Sequence, residues 1–298
     1  MSILPILNID QFDFTQQKGH FYANKFSKHL ATYHASITKP HKHDFYLVVL
    51  FTQGTGIHEI DFNAYPISAG ALFLLRPGQT HHWNLSSDIE GYIFFHTREF
   101  YNLLFPNRDI DDYPVFNSNY NSPLIQLNQN QLNQNQLNNF TDRFKQLHDE
   151  YEDKLWLKGQ RLSLLVDLIY VDLARIYQKT DSTSIQGNKS KSDRLLKLEN
   201  EIDRHYKTQK RAKDYAATLN VSIKHLNKNV AMALGKTTSD LIHDRILLEA
   251  KRLLIHGKAT VQEIAYELGY EDASYFARFF KKKTGYSPSD FAQKYEAE

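Results

Sequence analysis

Cysteine is absent from the 298 residues, which excludes disulfides, thiol catalysis and thiolate metal sites. The opening MSILPILNIDQFDF lacks a basic flank and a long apolar run. Neither a signal peptide nor a transmembrane helix is therefore expected, and the expected location is the cytoplasm with no membrane partner. Net charge is nearly absent too, since 36 Lys and Arg against 34 Asp and Glu leave +2. That balance hides an asymmetry. Residues 190–298 carry 20 basic and 15 acidic side chains, a net +5, which leaves 16 and 19, a net −3, for residues 1–189. The C-terminal part is the one suited to nucleic acid. With 41% hydrophobic and 13% aromatic residues, the chain holds enough apolar material for two domains with cores of their own.

The richest stretch is Thr260–Phe291, TVQEIAYELGYEDASYFARFFKKKTGYSPSDF. Thr260 suits an N-cap, and Glu263 three residues on completes a capping box. Val261, Ile264, Ala265 and Leu268 then recur at helical spacing. Gly269 supplies a left-handed turn, and Asp272 caps the next helix. In that helix Phe276, Phe279 and Phe280 fall on one side, with Ser274, Ala277, Arg278 and Lys281 on the other. This outer face suits a major groove: Arg278 for guanine or phosphate, Ser274 for either, and Lys281, Lys282 and Lys283 for the backbone. The plainer alternative is a three-helix packing module with a solvated charged face.

A second unit with the same grammar precedes it. Tyr215, Ala216 and Leu219 make an inner stripe, Asn220 stands where the glycine would be, and Ser222 caps a helix held inside by Leu226, Val230 and Leu234. Lys224, His225, Asn227 and Lys228 are left outside, the Asn227 amide having the geometry for adenine and the lysines suiting bases or phosphates. Ser239–His256 reads as one connecting helix stopped by Gly257. Such a connector holds both recognition helices on one side of a duplex, where successive major-groove faces lie about 34 Å apart.

These residues carry a resemblance. Arg245 with AKRLL (Ala250–Leu254), EIAYELGY (Glu263–Tyr270), SYFARFFKKKTG (Ser274–Gly285) and SPSDF (Ser287–Phe291) are similar, in order and spacing, to the AraC/XylS family of bacterial transcription regulators. By motif position the resemblance implies base-reading residues at Lys224, Asn227 and Lys228 in the first unit, and at Ala273, Ser274 and Arg278 in the second. Two positions depart from the pattern. Val230-Ala231-Met232-Ala233 replaces an aromatic-plus-basic helix end, and Ala292 stands where an arginine commonly follows the last aromatic. Both weaken phosphate gripping, so the first unit is expected to hold DNA less firmly.

The N-terminal part reads as short strands: Phe45–Thr52, Ile57–Phe62, Ala71–Leu75 and Tyr92–Phe95, with turns at Gln53–Gly56, Asn63–Pro66 and Arg76–Gly78. With PHKHDF (Pro40–Phe45), the Gly54-Thr55-Gly56 turn and Gly70 through Pro77-Gly78-Gln79-Thr80-His81-His82-Trp83, this stretch resembles the small cupin barrel that serves as sensor domain in many AraC-type regulators. His41, His43 and His81 match three of the four metal positions of cupin enzymes, but Leu47 or Val48 stands where the glutamate belongs. No metal and no cofactor is therefore assigned, and no catalytic residue. The expected use is a small-molecule pocket at the barrel mouth, with His41, His43, Arg76, His81 and Trp83 as effector contacts.

Leu124–Lys179 is read as helical. It opens on the low-complexity run LNQNQLNQNQLNN, whose leucines at 127, 132 and 137 drift around a helix. Phe140, Phe144, Leu147 and Tyr151 make one stripe, and a second helix starts at Leu155 or Trp156 with Leu162, Leu165, Val166, Ile169, Leu173 and Ile176. A surplus apolar face there favours a homodimer, as the AraC resemblance also implies. The organisation expected is thus two-domain: an all-β cupin-like barrel at 1–122, a helical dimerisation segment at 123–180, a flexible linker at 181–192, and an all-α double helix-turn-helix at 193–298. The function expected is a sequence-specific, non-enzymatic transcription regulator. Its partners are double-stranded DNA and a small-molecule effector of unassigned identity, with RNA polymerase as a further partner open to it. A metal-dependent cupin enzyme and a constitutive DNA-binding protein with a dimerising barrel are the alternatives.

Overall fold

The computed structural model describes residues 6–12, 20–33, 40–116, 122–127, 134–181, 189–256 and 259–297. The chain divides between residues 185 and 186 into two units, one sheet-rich and one all helical. Among the described residues no helix is long and apolar enough to cross a membrane.

Two five-stranded sheets build the first unit. One runs β1 (Ile6–Leu7), β3 (His41–His43), β8 (Thr80–Leu85), β5 (Gly56–Ile60), β6 (Asn63–Ile67); the other runs β10 (Leu124–Gln126), β7 (Ala71–Leu75), β4 (Tyr46–Gln53), β9 (Glu90–His96), β2 (Phe21–Lys25). β4 is central and covered on both faces, so its sequence YLVVLF is apolar without alternation. Tyr46, Val48 and Leu50 join Leu72, Leu74 and Phe94 in one core, which packs on Phe140, Phe144 and Leu147 of α3 (Gln134–Glu152) and Leu162, Val166, Ile169 and Tyr170 of α4 (Lys158–Asp181). Leu47, Val49 and Phe51 face the other way, toward Ile60, Ile67 and Trp83 of the opposing sheet.

Three sequence expectations shift. The turn placed at Asn63–Pro66 is strand β6, and the chain reverses instead at Asp61 and Phe62, both with positive φ (47° and 70°). Two successive left-handed residues match a tight hairpin, and the Asp61 carboxylate accepts from the Thr80 amide at 3.1 Å and from Gln79 Nε2 at 2.9 Å. Pro66 fits because β6 is an edge strand. Leu124–Gln126, read as the start of a helix, is β10, pairing antiparallel with Phe73–Ala71. The second helix starts at Lys158, leaving Leu155, Trp156 and Leu157 exposed in the connection. Part of the run LNQNQLNQNQLNN, at 128–133, lies outside the described residues. So do Gly257 and residues 182–188 of the expected linker, whose last residues, 189–192, are helical.

The second unit comprises α5 (Lys189–His205), α6 (Ala212–Thr218), α7 (Ile223–Leu234), α8 (Thr238–His256), α9 (Val261–Glu267), α10 (Ala273–Thr284) and α11 (Pro288–Ala297). α8 is its axis, burying Leu241, Ile242, Ile246, Leu247 and Ala250. Arg245 pins α5 to it, meeting Asp203 at 2.5 Å and Glu249 at 3.0 Å while its guanidinium lies 4.2 Å from the Tyr206 ring centre.

Candidate nucleic-acid interface and barrel interior

Local chemistry positions α10. The Thr260–Glu263 capping box is formed on both sides: Glu263 N donates to Thr260 Oγ1 at 3.2 Å and Thr260 N to Glu263 Oε2 at 2.7 Å. Asp272 Oδ1 then accepts from Ser274 N at 2.7 Å, starting α10. Phe276 and Phe280 are fully buried, and Phe279 is half-buried against His243 and Tyr270. Ser274, Tyr275, Arg278, Lys281, Lys282 and Lys283 are exposed, with Ala273 half-buried beside them. Arg278 lies 4.0 Å from Asp272 in an exposed pair. Such a pair holds its guanidinium by about 0–1 kcal/mol, so it is readily surrendered to a base or phosphate.

α7 repeats the arrangement. Ser222 Oγ accepts from His225 N at 3.2 Å, Asn220 takes the left-handed turn (φ 53°), and Leu226 and Val230 are buried. Lys224, His225 and Lys228 are exposed. Asn227 departs from its expected role: it is half-buried, and its Oδ1 accepts from the Thr238 amide at 3.0 Å, capping α8. Reading adenine takes the amide oxygen and nitrogen together, so this oxygen is already spent on the fold. Two exposed groups went unread in the sequence. Tyr275 shares the outer face of α10, and Arg194 of α5 donates to His225 Nε2 at 3.2 Å. The first was legible from its place between Ser274 and Arg278; the second depends on tertiary packing.

In the sheet-rich unit four of the five expected effector residues come together. His41 and His81 are register partners, their ring centres 4.4 Å apart. His43 Nε2 lies 3.0 Å from His81 Nε2, and His81 Nδ1 lies 2.9 Å from Nε2 of His58, a residue the sequence reading did not single out. Trp83 is the register partner of His58. The chain of contacts has a direction. The Phe45 carbonyl can only accept, so His43 Nδ1, 3.2 Å away, carries a hydrogen. His43 Nε2 then accepts from His81, whose Nδ1 accepts from His58 Nε2–H. His58 Nδ1 ends as a bare acceptor and Trp83 Nε1–H as a donor, both buried and both without a hydrogen-bond partner among the described residues. Burial holds these imidazoles neutral: His43 is lowered to about 3, and His58 and His81 lie well below the ordinary range, with the nearby His41 adding to each effect.

Arg76 does not join them. Following Leu75, which points to the interior, it falls by strand alternation on the helix-facing side, where its Nη1 donates to the Phe116 carbonyl at 2.9 Å. Among the described residues no three His, Asp or Glu are arranged to hold a metal ion. Leu47 fills the carboxylate position with an interior-facing alkyl group, and both His81 nitrogens face other imidazoles, so the set does not fit a cupin metal.

Comparison with known proteins follows the same division. Residues 25–169 match the family described as AraC-like ligand binding domain, and residues 215–294 the one described as helix-turn-helix domain. The HTH-type transcriptional activator RhaS of Escherichia coli O81 (strain ED1a) is 25% identical over 259 residues, 85% of this chain and 87% of that protein. RhaS of Shigella dysenteriae serotype 1 (strain Sd197) has the same identity and coverage. Among solved structures, ToxT from Vibrio cholerae covers 92% of this chain and 98% of its own at 15% identity, with a TM-score of 0.45.

Proposed function

Given that this chain is a two-domain transcription regulator of the AraC type, we propose that it reads a two-part DNA site with α7 and α10, under control of a small molecule held between its sheets. The observation that carries the reading is the exposed face of α10, where Ser274, Tyr275 and Arg278 lead into three lysines at the helix end. Base-edge chemistry followed by backbone chemistry on one helix suits a major groove and its flanking phosphates. We assign base contacts to Lys224, Lys228, Ala273, Ser274 and Arg278, backbone contacts to Ser222, His225, Lys281 and Lys282, and a positioning role to Asn227. Selection of bound fragments from random DNA at two salt concentrations tests the reading. It expects a two-part motif; uniform, salt-sensitive binding alone would reject it.

Control by an effector is favoured by the two unpartnered nitrogens, His58 Nδ1 and Trp83 Nε1. Left unmet, a buried polar group costs about 1–3 kcal/mol, which a ligand offering both a donor and an acceptor recovers. Residues 5–122 are on this reading a binding domain and not an enzyme. An effector acts only through differential affinity for two arrangements of domains or subunits, so Trp83→Phe is expected to weaken the effector's influence on DNA binding while sparing DNA binding itself.

We further assign residues 123–180 to homodimerisation. On α4 Leu164 and Leu168 are 56% and 43% exposed one turn apart, and Trp156 before the helix is 89% exposed, a grouping that soluble surfaces normally cover. Leu164→Lys with Leu168→Lys is expected to raise the dimer dissociation constant by at least about tenfold, each lysine placing a charge in an apolar contact. Sedimentation of both proteins checks it, and an unchanged dimer would move the interface elsewhere. The cytoplasm as location and RNA polymerase as partner, the latter if the chain activates as its relatives' names state, complete the reading.

A further inference from the structure

Glycine at 269 is not explained by its turn alone. The matching turn of the first unit uses Asn220, also left-handed at φ 53°, so a side chain is tolerated by that conformation. What differs is the neighbour. A Cβ on Gly269 would stand 1.9 Å from the carbonyl oxygen of Lys207 and 2.9 Å from Lys210 Nζ. The segment joining α5 to α6, at the head of the first helix-turn-helix, is thus pressed against the turn inside the second. Lys210 closes the contact: its ammonium donates to the Lys207 carbonyl at 2.8 Å and across to the Leu268 carbonyl at 2.6 Å, and lies 4.7 Å from the Tyr270 ring centre. Leu268 ends α9, where carbonyls lack helical partners and a cation is favoured by the helix dipole. Lys207 adds a second tie, Nζ to Glu267 Oε1 at 3.0 Å.

We infer that Lys210 is a positioning residue that fixes the separation of α7 and α10, so that the protein measures the spacing between the two parts of its DNA site. Without the clasp the units are joined through α8 and its packing alone, and the second can pivot on the first. The inference rests on the reading that both units contact DNA. It differs from a general stabilising role in one respect: a pivoting pair still binds each half, but loses its preference for one spacing.

The test uses the full chain and the two-part motif enriched by the wild type, with versions carrying one to three base pairs inserted or deleted between the parts, and a fragment holding only the second part. Wild type is expected to lose about tenfold or more in affinity when the spacing changes, in keeping with the cost of losing a set of base contacts. Lys210→Met should bind the single part within about twofold of wild type while the spacing penalty falls below about threefold. Lys210→Arg, able to reach the same carbonyls, should restore the penalty, and Gly269→Ala should behave as Lys210→Met. A wild-type spacing profile in Lys210→Met overturns the inference and leaves the two-unit reading intact, as does an equal loss on the single part and the full motif. A wild type indifferent to spacing and to removal of the first part overturns both.

Discussion

Lowering the pH from 7 to about 4.5 is expected to unfold the sheet-rich unit, through histidines that the fold keeps neutral. His29 and His43 are lowered to about 3 and His96 to about 4, and His58 and His81 lie well below the ordinary range, burial being the main cause in each case. In the unfolded chain these groups take up protons near pH 6.5, whereas the folded unit refuses them. Their contribution is therefore fully present above about pH 6.5 and is lost as the pH falls toward the folded values. Each imidazole contributes a slope of about 1.4 kcal/mol per pH unit. Two acting independently would remove about 5 kcal/mol by pH 4.5, already the lower edge of the stability of a whole domain. The chain supplies its own reporter, since Trp83 lies buried among the histidines and the other tryptophan, Trp156, is 89% exposed. A red shift of the Trp83 emission between pH 6 and about 4.5 is the expected result; blue emission persisting to pH 4 would contradict it. His58→Phe should move the midpoint downward, provided the ring is accommodated against Phe73.

How far the sequence could be read depends on how local the physics was. The helical unit was legible because its signals are short-range: Thr260 with Glu263, Asp272 before Ala273, Ser222 before Ile223, and aromatics three and four apart all act within a turn or two of helix. Asn227 escaped because its outward position on a helical wheel is correct, while its partner, the Thr238 amide, is brought to it only by folding. The sheets were legible where strands are apolar, as in β4 and β7, and opaque where they are not. THHWNL and HKH do not look like core strands, since their polar rings are buried only because His41, His43, His58 and His81 satisfy one another across β3, β8 and β5. Such pairing joins residues up to 38 positions apart, and no spacing rule finds it. Arg76 was misplaced for the opposite reason: its nearness to the His81 cluster in sequence counted for more than the alternation that turns it to the other face.

Replacing Arg278 by Ala is expected to cost about 1–3 kcal/mol of DNA binding, roughly five- to 150-fold, and to relax sequence preference at one position of the second half-site. The side chain is 73% exposed and is held only by the long contact to Asp272, so its removal leaves the core of Phe276 and Phe280 untouched and the fold intact. Lys281→Ala makes the contrast. It lies one turn on at the helix end, where its ammonium suits a phosphate, and its loss should weaken all sequences alike and reduce the salt slope by about one. The two variants therefore differ in kind, not only in size: one changes which DNA is bound, the other how salt-sensitive the binding is. Titrations of wild type and both variants against the selected motif and a single-base mismatch, each at two salt concentrations, separate them. If Arg278→Ala discriminates the mismatch as well as wild type does, that guanidinium grips the backbone. Reading of the second half-site would then rest on Ser274 and Tyr275, the remaining exposed groups of the first turn of α10.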